Sequence, residues 1–390
     1  MNEKAKDFRN KITEMFLQAL EKKEKDWSRP WAITLQTNAS NNYTYRGINQ
    51  IYLSLICDQR GYTDPRWATF IQAQQMGWKI KRGAKGAKIE YWFPYDLKQK
   101  KSIPWQQYKE CTESEKENIV IRPVYKYVFN AQDIEGIPER RPSTSEIVPL
   151  KIIEKISCSM GVSIHYDELN SAYYMPGNDS IHLPPLHNFK SESAYAATSL
   201  HELAHSTGAF QRLNRPLGHN SGSVQYAYEE LIAEITSAYM SANLNLPYDE
   251  SQMENHQAYI QSWISGIREK PDMLMAAVKE AESASDYLEY HAGIIDREEF
   301  LNRRVDITLK TVDRLVHEME AHSYPSTSQT KALVRKLAEA APGIHNLKDL
   351  HHAYKNQLKK FPMDTQNTIV QLGDTLKNIE LSRFMECIPE

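Results

Sequence analysis

Two histidines one helical turn apart, with a glutamate beside the first, are the residues of this chain whose types and spacing most directly suggest chemistry. They are His201, Glu202 and His205, in the pattern HExxH. On an α-helix both imidazoles project from one face and can hold a single metal ion, while Glu202 is rotated by about 100° and can reach a water beside the ion. The pattern predicts a hydrolytic metal centre with Glu202 as general base. Zn²⁺ is the expected ion, and Mn²⁺ is another candidate.

A site of this kind needs a third protein ligand and one open coordination position. Six residues after the second histidine, where a metzincin would have another histidine, stands Gln211, so that arrangement is disfavoured. Further on, an acidic helical segment resembles the corresponding helix of gluzincins such as thermolysin. That resemblance implies Glu230 as the third ligand and Glu234 as the residue that orients a ligand histidine, with Glu229 as the rival ligand. His219 is a weaker candidate for stabilising an oxyanion.

The metal pattern requires a helix, and the surrounding residues favour one. From Ser191 to Thr207 the sequence is typical of a helix, with Ser191 at the N-cap and Gly208 just beyond the end. A hairpin is expected before it, through Ala172–Tyr174 and Ser180–Leu183. Strands followed by several helices predict an α+β unit.

The first third of the chain is basic and aromatic, and the rest is acidic. Residues 1–130 hold 23 Lys and Arg against 14 Asp and Glu, whereas the remainder holds 24 against 36. Six of the seven tryptophans lie in the basic part. Because cations neutralise phosphates and exposed rings stack on unpaired bases, this segment is predicted to bind single-stranded nucleic acid. The alternative is that many of the rings belong to the core of the domain.

Candidate contacts to nucleic acid come from three clusters, in residues 43–49, 61–67 and 78–88. The last holds five cations in ten residues, with glycines that let the backbone approach a phosphate closely. The candidate residues are Tyr45, Arg46, Asn49, Arg66, Trp67, Trp78, Lys79, Lys81, Arg82, Lys85 and Lys88.

The chain is expected to divide into four parts. Residues 1–135 are predicted to form an α+β domain whose first helix ends near Lys25, and the proline- and serine-rich residues 136–149 a linker. Residues 150–300 carry the metal pattern. Residues 301–390 are predicted to form a helical extension whose role is unknown.

The cysteines and the hydropathy pattern bear on location. Four widely spaced cysteines without a CxxC pair fit a reducing compartment, and no stretch approaches the roughly 18 apolar residues of a membrane span. A cytoplasmic protein with no membrane partner is therefore expected.

Taken in order, the motifs resemble the ArdC family of plasmid antirestriction proteins, whose N-terminal domain is also similar to that of TraC-type primases. The motifs are YRGIN (45–49), GYTDPRW (61–67), IKRGAKGAK (80–88), VYKYVFNAQDIEGIP (124–138), YYMPGNDSIHLPP (173–185), HELAHSTG (201–208), RLNR (212–215) and YAYEELIAEI (226–235). The resemblance covers about residues 8–290. It implies an N-terminal single-stranded DNA-binding domain followed by a zincin-like metallopeptidase domain.

The resemblance also implies protection of incoming conjugative DNA from host restriction enzymes. One hypothesis is a DNA-binding antirestriction protein whose metal site is structural or accessory, and a second is an active metalloprotease that DNA brings to its target. A third, a plasmid replication or priming accessory factor, is disfavoured because the sequence shows no primase-type acidic metal motif. The expected partners are single-stranded DNA and a protein substrate whose identity the sequence leaves open.

Overall fold

The computed structural model describes residues 3–26, 34–140, 149–169, 171–209, 212–217, 223–246 and 257–303. The chain folds into two units, each made of two segments. The first is Met1–Ile147 with Ser241–Lys279, and the second is Val148–Met240 with Glu280–Glu390. Each unit combines helices and strands, which confirms the predicted α+β class. No helix among the described residues is long and apolar enough to cross a membrane.

Among the described residues, strands occur only before residue 184, whereas helices occur throughout. Those before residue 140 are α1 (Glu3–Asp26), β1 (Thr37–Asn38), α2 (Gly47–Arg60), β2 (Arg66–Thr69), α3 (Phe70–Gln75), β3 (Lys79–Ile80), β4 (Ala87–Asp96), β5 (Lys101–Ser102), α4 (Trp105–Glu110), α5 (Glu113–Lys116), β6 (Ile119–Asn130) and β7 (Ile134–Glu135). Those after it are α6 (Pro149–Met160), β8 (Ser163–Tyr166), β9 (Tyr173–Met175), β10 (Ser180–Leu183), α7 (Glu192–Ser206), α8 (Val224–Asn243), α9 (Gln257–Glu269), α10 (Asp272–Ala292) and α11 (Arg297–Arg303).

The first unit is built on a five-stranded sheet with the strand order β1-β2-β6-β4-β5. Its longest ladder is antiparallel and joins β4 to β6, from Ala87↔Val128 to Asp96↔Ile119. A separate antiparallel pair joins β3 to β7. The helix predicted to end near Lys25 ends at Asp26. Apolar side chains from α1, α2 and the sheet form one buried cluster, in which Phe8 of α1 and Tyr52 of α2 contact edge to face.

Asn49 of α2 is hydrogen-bonded to the backbone of β4. Its Nδ2 donates to the carbonyl oxygen of Glu90 at 2.6 Å, and its Oδ1 accepts from the amide of Glu90 at 2.9 Å. Asn49 is buried. Because unsatisfied backbone groups are costly in the interior, these two bonds stabilise the junction between helix and sheet.

The second unit has a three-stranded sheet with the order β8-β10-β9. β10 runs parallel to β8 and antiparallel to β9, so the predicted hairpin is confirmed by the pairing Ser180↔Met175. α7 packs against this sheet and against α6. Ile181 and Leu183 of β10 are fully buried.

α8 lies beside α7 and is buried around its circumference over most of its length. Its central apolar side chains have no exposed surface: Leu231, Ile232, Ala233 and Ile235. The Ser237 hydroxyl donates to the carbonyl of Ala197 on α7 at 2.9 Å, which joins the two helices directly. A helix that is buried on all sides is positioned by its neighbours and not by solvent, so α8 is a rigid support for its acidic residues.

The predicted domain boundaries stay predictions. The sequence prediction places residues 241–279 in the second domain, whereas in the structure they belong to the first unit, where α9 packs on α1. Such long-range packing leaves no local trace in the sequence. Most of the predicted linker and nearly all of the predicted extension lie outside the described residues.

We predict that Asn49→Ala destabilises the protein by about 1–3 kcal/mol, because it leaves the buried amide and carbonyl of Glu90 without partners. Urea unfolding of the full chain measures this loss. Gln75→Ala, which removes an exposed amide from the same unit, serves as the control. A change below about 0.5 kcal/mol for Asn49→Ala would contradict a structural role.

Candidate metal centre and nucleic-acid surface

α7 carries the histidine pair on a helix with well-defined ends. The hydroxyl of Ser191 accepts from the amide of Ala194 at 3.0 Å, which confirms the predicted N-cap. Beyond the last turn, a Cβ on Gly208 would lie 2.6 Å from a methyl group of Leu217. A larger residue here would displace the Leu217 side chain and would also lie about 3.1 Å from the carbonyl oxygen of His205, so glycine suits this close turn behind the helix.

His201, His205 and Glu230 come together as three convergent donors. The Nε2 atoms of the two imidazoles are 3.2 Å apart. Glu230 offers one oxygen 3.4 Å from His201 Nε2 and the other 3.6 Å from His205 Nε2. In a tetrahedral zinc site, donors about 2.0–2.2 Å from the ion are about 3.3–3.5 Å from one another. The three side chains therefore have the spacing that a small divalent cation requires, and they are the one group of this kind in the described part of the chain.

The outer nitrogens of both imidazoles face further carboxylates. His201 Nδ1 lies 3.5 Å from Glu234, and His205 Nδ1 lies 3.2 Å from Glu229. A carboxylate at Nδ1 fixes the tautomer and the ring orientation, so that Nε2 presents its lone pair to the site. Both acids therefore lie behind the histidines, and the contact between Glu229 and His205 is the closer of the two and is a hydrogen bond.

Glu202 lies next to the pair and is buried. Burial raises the pKa of its carboxyl group, an effect that the nearby histidines oppose. The backbone amide of Tyr174 in β9 also donates a hydrogen bond to it. A carboxylate whose pKa is raised in this way is better matched to accepting a proton near neutral pH than an exposed one.

The charges in the site are strongly coupled. Burial alone would raise the pKa of Glu230, but the hydrogen bond with His201 and the charge of His205 lower it to about 2. Burial would lower the pKa of His201, yet Glu230 and Glu234 raise it well above its ordinary value. Glu230 is therefore held ionised against the imidazoles, which is the protonation state that a cation requires of it.

Two buried arginines follow α7, and sequence reasoning gave them no role. Arg212 donates to the carbonyl of Ser206 at 2.6 Å and to Asp179 in the β9–β10 turn at 3.1 Å. Arg215 donates to the carbonyl of Ala204 at 2.9 Å and to Glu229 at 2.7 Å. The RLNR segment is thus packed against the C-terminal end of the metal-binding helix. The signal that could have revealed it is the pair of arginines just past a helix end, where carbonyls need donors.

The remaining metal candidates can be placed only in part. Glu229, the rival ligand, faces the Nδ1 side of His205, away from the point where the Nε2 atoms meet. Gln211 and His219 lie outside the described residues.

Three of the residues predicted to contact nucleic acid lie in the core. Tyr45 and Trp67 are at most 1% exposed, and the Trp67 indole donates to Gln36 at 2.7 Å. The amide group of Asn49 is occupied by its two hydrogen bonds to β4. A ring can stack on a base only if its face is accessible, and a side-chain amide can contact DNA only if it is not already bonded. The prediction that these three residues contact nucleic acid is therefore wrong.

Arg66 and Lys88 have partners within the protein, and Arg46 is half-buried. The Arg66 guanidinium donates to both oxygens of Asp64, the shorter bond being 2.7 Å. The Lys88 ammonium lies 4.0 Å from the ring centre of Tyr125. Arg46 precedes the first turn of α2. These cations are less available to a phosphate than a fully exposed one.

The basic loop formed by residues 79–88 remains accessible. Its exposed cations are Lys79, Lys81, Arg82 and Lys85, and Trp78 just before it is half-buried. Of these cations, Lys81 also donates to the carbonyl of Gln132 at 2.7 Å. Tyr127 on β6, which the sequence did not single out, is 60% exposed beside this loop. A Cβ on Gly86 would lie 3.3 Å from the rings of Tyr127 and Phe129, so the loop backbone passes directly over them. Cations and an open aromatic ring are therefore adjacent on this surface.

Comparisons with known proteins match two consecutive parts of the chain to two family models. A family model described as the N-terminal domain of anti-restriction factor ArdC matches residues 6–129, and one described as a zincin-like metallopeptidase matches residues 151–280. DNA primase TraC of Escherichia coli is 35% identical over 302 residues, which are 74% of this chain but only 27% of the primase. The chain thus spans about a quarter of that relative.

Two solved structures are similar over most of their length. They are crystal structures of the antirestriction protein ArdC from plasmid R388, one metal-free and one bound to Mn(II). The identities are 29% and 30% and the TM-scores 0.58 and 0.56, over 74% of this chain and 99% of ArdC. Fold and site define a two-domain protein with a zincin-like metallopeptidase domain. The chain belongs to the ArdC family of antirestriction proteins.

We predict that Glu230→Ala abolishes stoichiometric binding of zinc, as does His201→Ala, because each removes one of three donors. Glu229→Ala is expected to retain zinc with lower affinity, because this residue contacts the outer nitrogen of His205. Elemental analysis after dialysis measures bound metal, with the exposed Glu192→Ala on the same helix as control. Retention by Glu230→Ala together with loss by Glu229→Ala would exchange the two roles.

Proposed function

We propose that this protein is an antirestriction factor that binds single-stranded DNA through its first unit and carries a metal-dependent peptidase centre in its second. The observation that carries the peptidase proposal is the convergence of His201 Nε2, His205 Nε2 and Glu230 beside the buried Glu202. The donor set, two imidazoles and one carboxylate, suits Zn²⁺ and also Mn²⁺.

A divalent cation in this site would supply Lewis acidity, which polarises a carbonyl oxygen and makes a nearby water more acidic. The chain's own residues supply the rest of the chemistry. Glu202 accepts the proton of the attacking water at its carboxylate and then passes it to the leaving amine. Glu229 and Glu234 hold the imidazoles in orientation. A peptide bond is the proposed substrate, in agreement with the zincin-like character of the domain.

The DNA-binding proposal rests on the basic loop. Four exposed cations within seven residues can neutralise successive phosphates, and Tyr127 offers an accessible ring for a base. Stacking favours unpaired bases over duplex, whose bases are already stacked. We propose that the protein coats incoming plasmid DNA in this way in the cytoplasm and that this coating accounts for most of its antirestriction effect.

Glu202→Gln is expected to lower peptide hydrolysis by about 10²–10⁴-fold, because it preserves shape and removes the base. Zinc content and DNA affinity are expected to stay unchanged. Hydrolysis is measured with casein or a quenched peptide library, zinc content by elemental analysis of the same samples, and DNA affinity by fluorescence anisotropy. Glu192→Gln is the matched control. Undiminished hydrolysis would rule out Glu202 as the base.

Replacing Lys81, Arg82 and Lys85 by Ala is expected to weaken binding of single-stranded DNA and to flatten its salt dependence by about 0.7 in logarithmic slope per lost phosphate contact. The matched control replaces Lys98, Lys100 and Lys101, which are exposed and carry the same total charge. Fluorescence anisotropy at several salt concentrations measures both variants. Equal losses in the two variants would point to net charge instead of the loop.

The same variants separate DNA coating from proteolysis as the source of protection. If coating dominates, the loop variant loses protection of plasmid DNA entering a restricting recipient and Glu202→Gln keeps it. Transfer frequencies by conjugation provide the measurement. The reverse pattern would make proteolysis the function and refute the coating proposal.

A further inference from the structure

Arg215 is a buried cation whose contacts join the end of the metal-binding helix to α8. Its Nη2 donates to the carbonyl of Ala204, and its Nη1 donates to the hydroxyl of Thr207 at 2.7 Å. The guanidinium also donates two hydrogen bonds to Glu229, at 2.7 Å from Nη2 and at 3.2 Å from Nε. Both partners of this ion pair are about 5% exposed. The planar fork is therefore fixed at both ends within the protein.

Glu229 is held between Arg215 and His205. One of its oxygens, Oε1, lies 2.7 Å from Arg215 and 3.2 Å from His205 Nδ1. A carboxylate fixed at this point accepts a hydrogen bond from Nδ1–H, which keeps the proton on Nδ1 and leaves the Nε2 lone pair directed at Glu230.

We propose that Arg215 is the positioning residue for the metal ligand His205 and that it sets the affinity of the site for a divalent cation. This inference rests on the proposed metal site. Arg215 acts through Glu229, which lies between it and the imidazole. Without the guanidinium, Glu229 would lose the two hydrogen bonds that fix its orientation, and its carboxylate would no longer be held against the imidazole.

Arg212 offers a matched comparison three residues away. It is equally buried, and it also caps the end of α7 through the carbonyl of Ser206. Its carboxylate partner is Asp179, which lies in the β9–β10 turn and orients neither metal-binding histidine. Loss of Arg212 should therefore lower stability as much as loss of Arg215 does, without the same effect on the metal.

The experiment measures zinc affinity of the full-length protein by competition with a chromophoric chelator, for the wild type, Arg215→Met, Arg215→Lys, Glu229→Gln and Arg212→Met. Thermal unfolding of the metal-free proteins is recorded in parallel. Arg215→Met is expected to weaken zinc binding by about 10–100-fold, as outer contacts to ligand residues do in general. Arg212→Met is expected to stay within about threefold of the wild type. Combining Arg215→Met with Glu229→Gln should cost no more affinity than the larger single effect, because both act through one path.

Absorption spectra of the cobalt-substituted proteins add a readout that general destabilisation does not change. The d–d bands are expected to shift in Arg215→Lys and Glu229→Gln and to keep the wild-type form in Arg212→Met. If Arg215→Met fails to fold, Arg215→Lys carries the same test, since it keeps the charge and loses the fork. Wild-type affinity and spectra in the Arg215 variants would overturn the inference alone. A wild-type protein that binds no metal would overturn the proposed function and this inference together.

Discussion

The second unit depends on the meeting of two imidazoles with a row of carboxylates between α7 and α8. Glu229, Glu230 and Glu234 are all buried there, together with Glu202 on the opposite helix. Buried carboxylates are costly unless they are paired. Packing between the helices must therefore hold each acid against a histidine or against Arg215. The same demand explains why the acids stand on a fully buried helix and not on a loop, since only a rigid element can maintain these distances.

Much of the metal centre could be predicted from sequence because its spacing is local. His201 and His205 share a helical face by periodicity, and Ser191 marks the start of their helix. The positions of Glu229 and Glu230 could not be separated in this way, because adjacent residues differ by about 100° around a helix whose rotation is set by tertiary packing. The role of Arg215 could not be predicted for a similar reason, because its partner Glu229 lies 14 residues away on another element.

In the first unit, composition alone does not show which aromatic residues are exposed. A basic, aromatic sequence predicts a surface for nucleic acid, yet aromatic residues are also the largest units of a core. Trp67 and Tyr45 are core residues, whereas Tyr127 is open. All three stand beside cations in the chain. Trp67 and Tyr127 differ in the face of the sheet on which each lies, and that face depends on how β2 and β6 pair. Tyr45 lies in the connection before α2, where its burial depends on tertiary packing. Exposure of the basic loop, by contrast, follows directly from its charge and its glycines.

The bonds of Asn49 to β4 have a consequence for the protein's behaviour at high concentration. In the described structure β5 pairs with only the last two residues of β4 on the side away from β6, at Tyr95 and Asp96. Towards the middle of β4, the carbonyl of Pro94 accepts from the amide of Ile103 at 2.9 Å, and that of Trp92 accepts from the Trp105 indole at 3.3 Å. A strand edge without such partners invites pairing with a strand of another molecule. Asn49 occupies both hydrogen-bonding groups of Glu90 in the middle of this edge. α2 and the residues after β5 together cover this edge, which disfavours intermolecular sheet formation and aggregation in a domain with a long β-ladder.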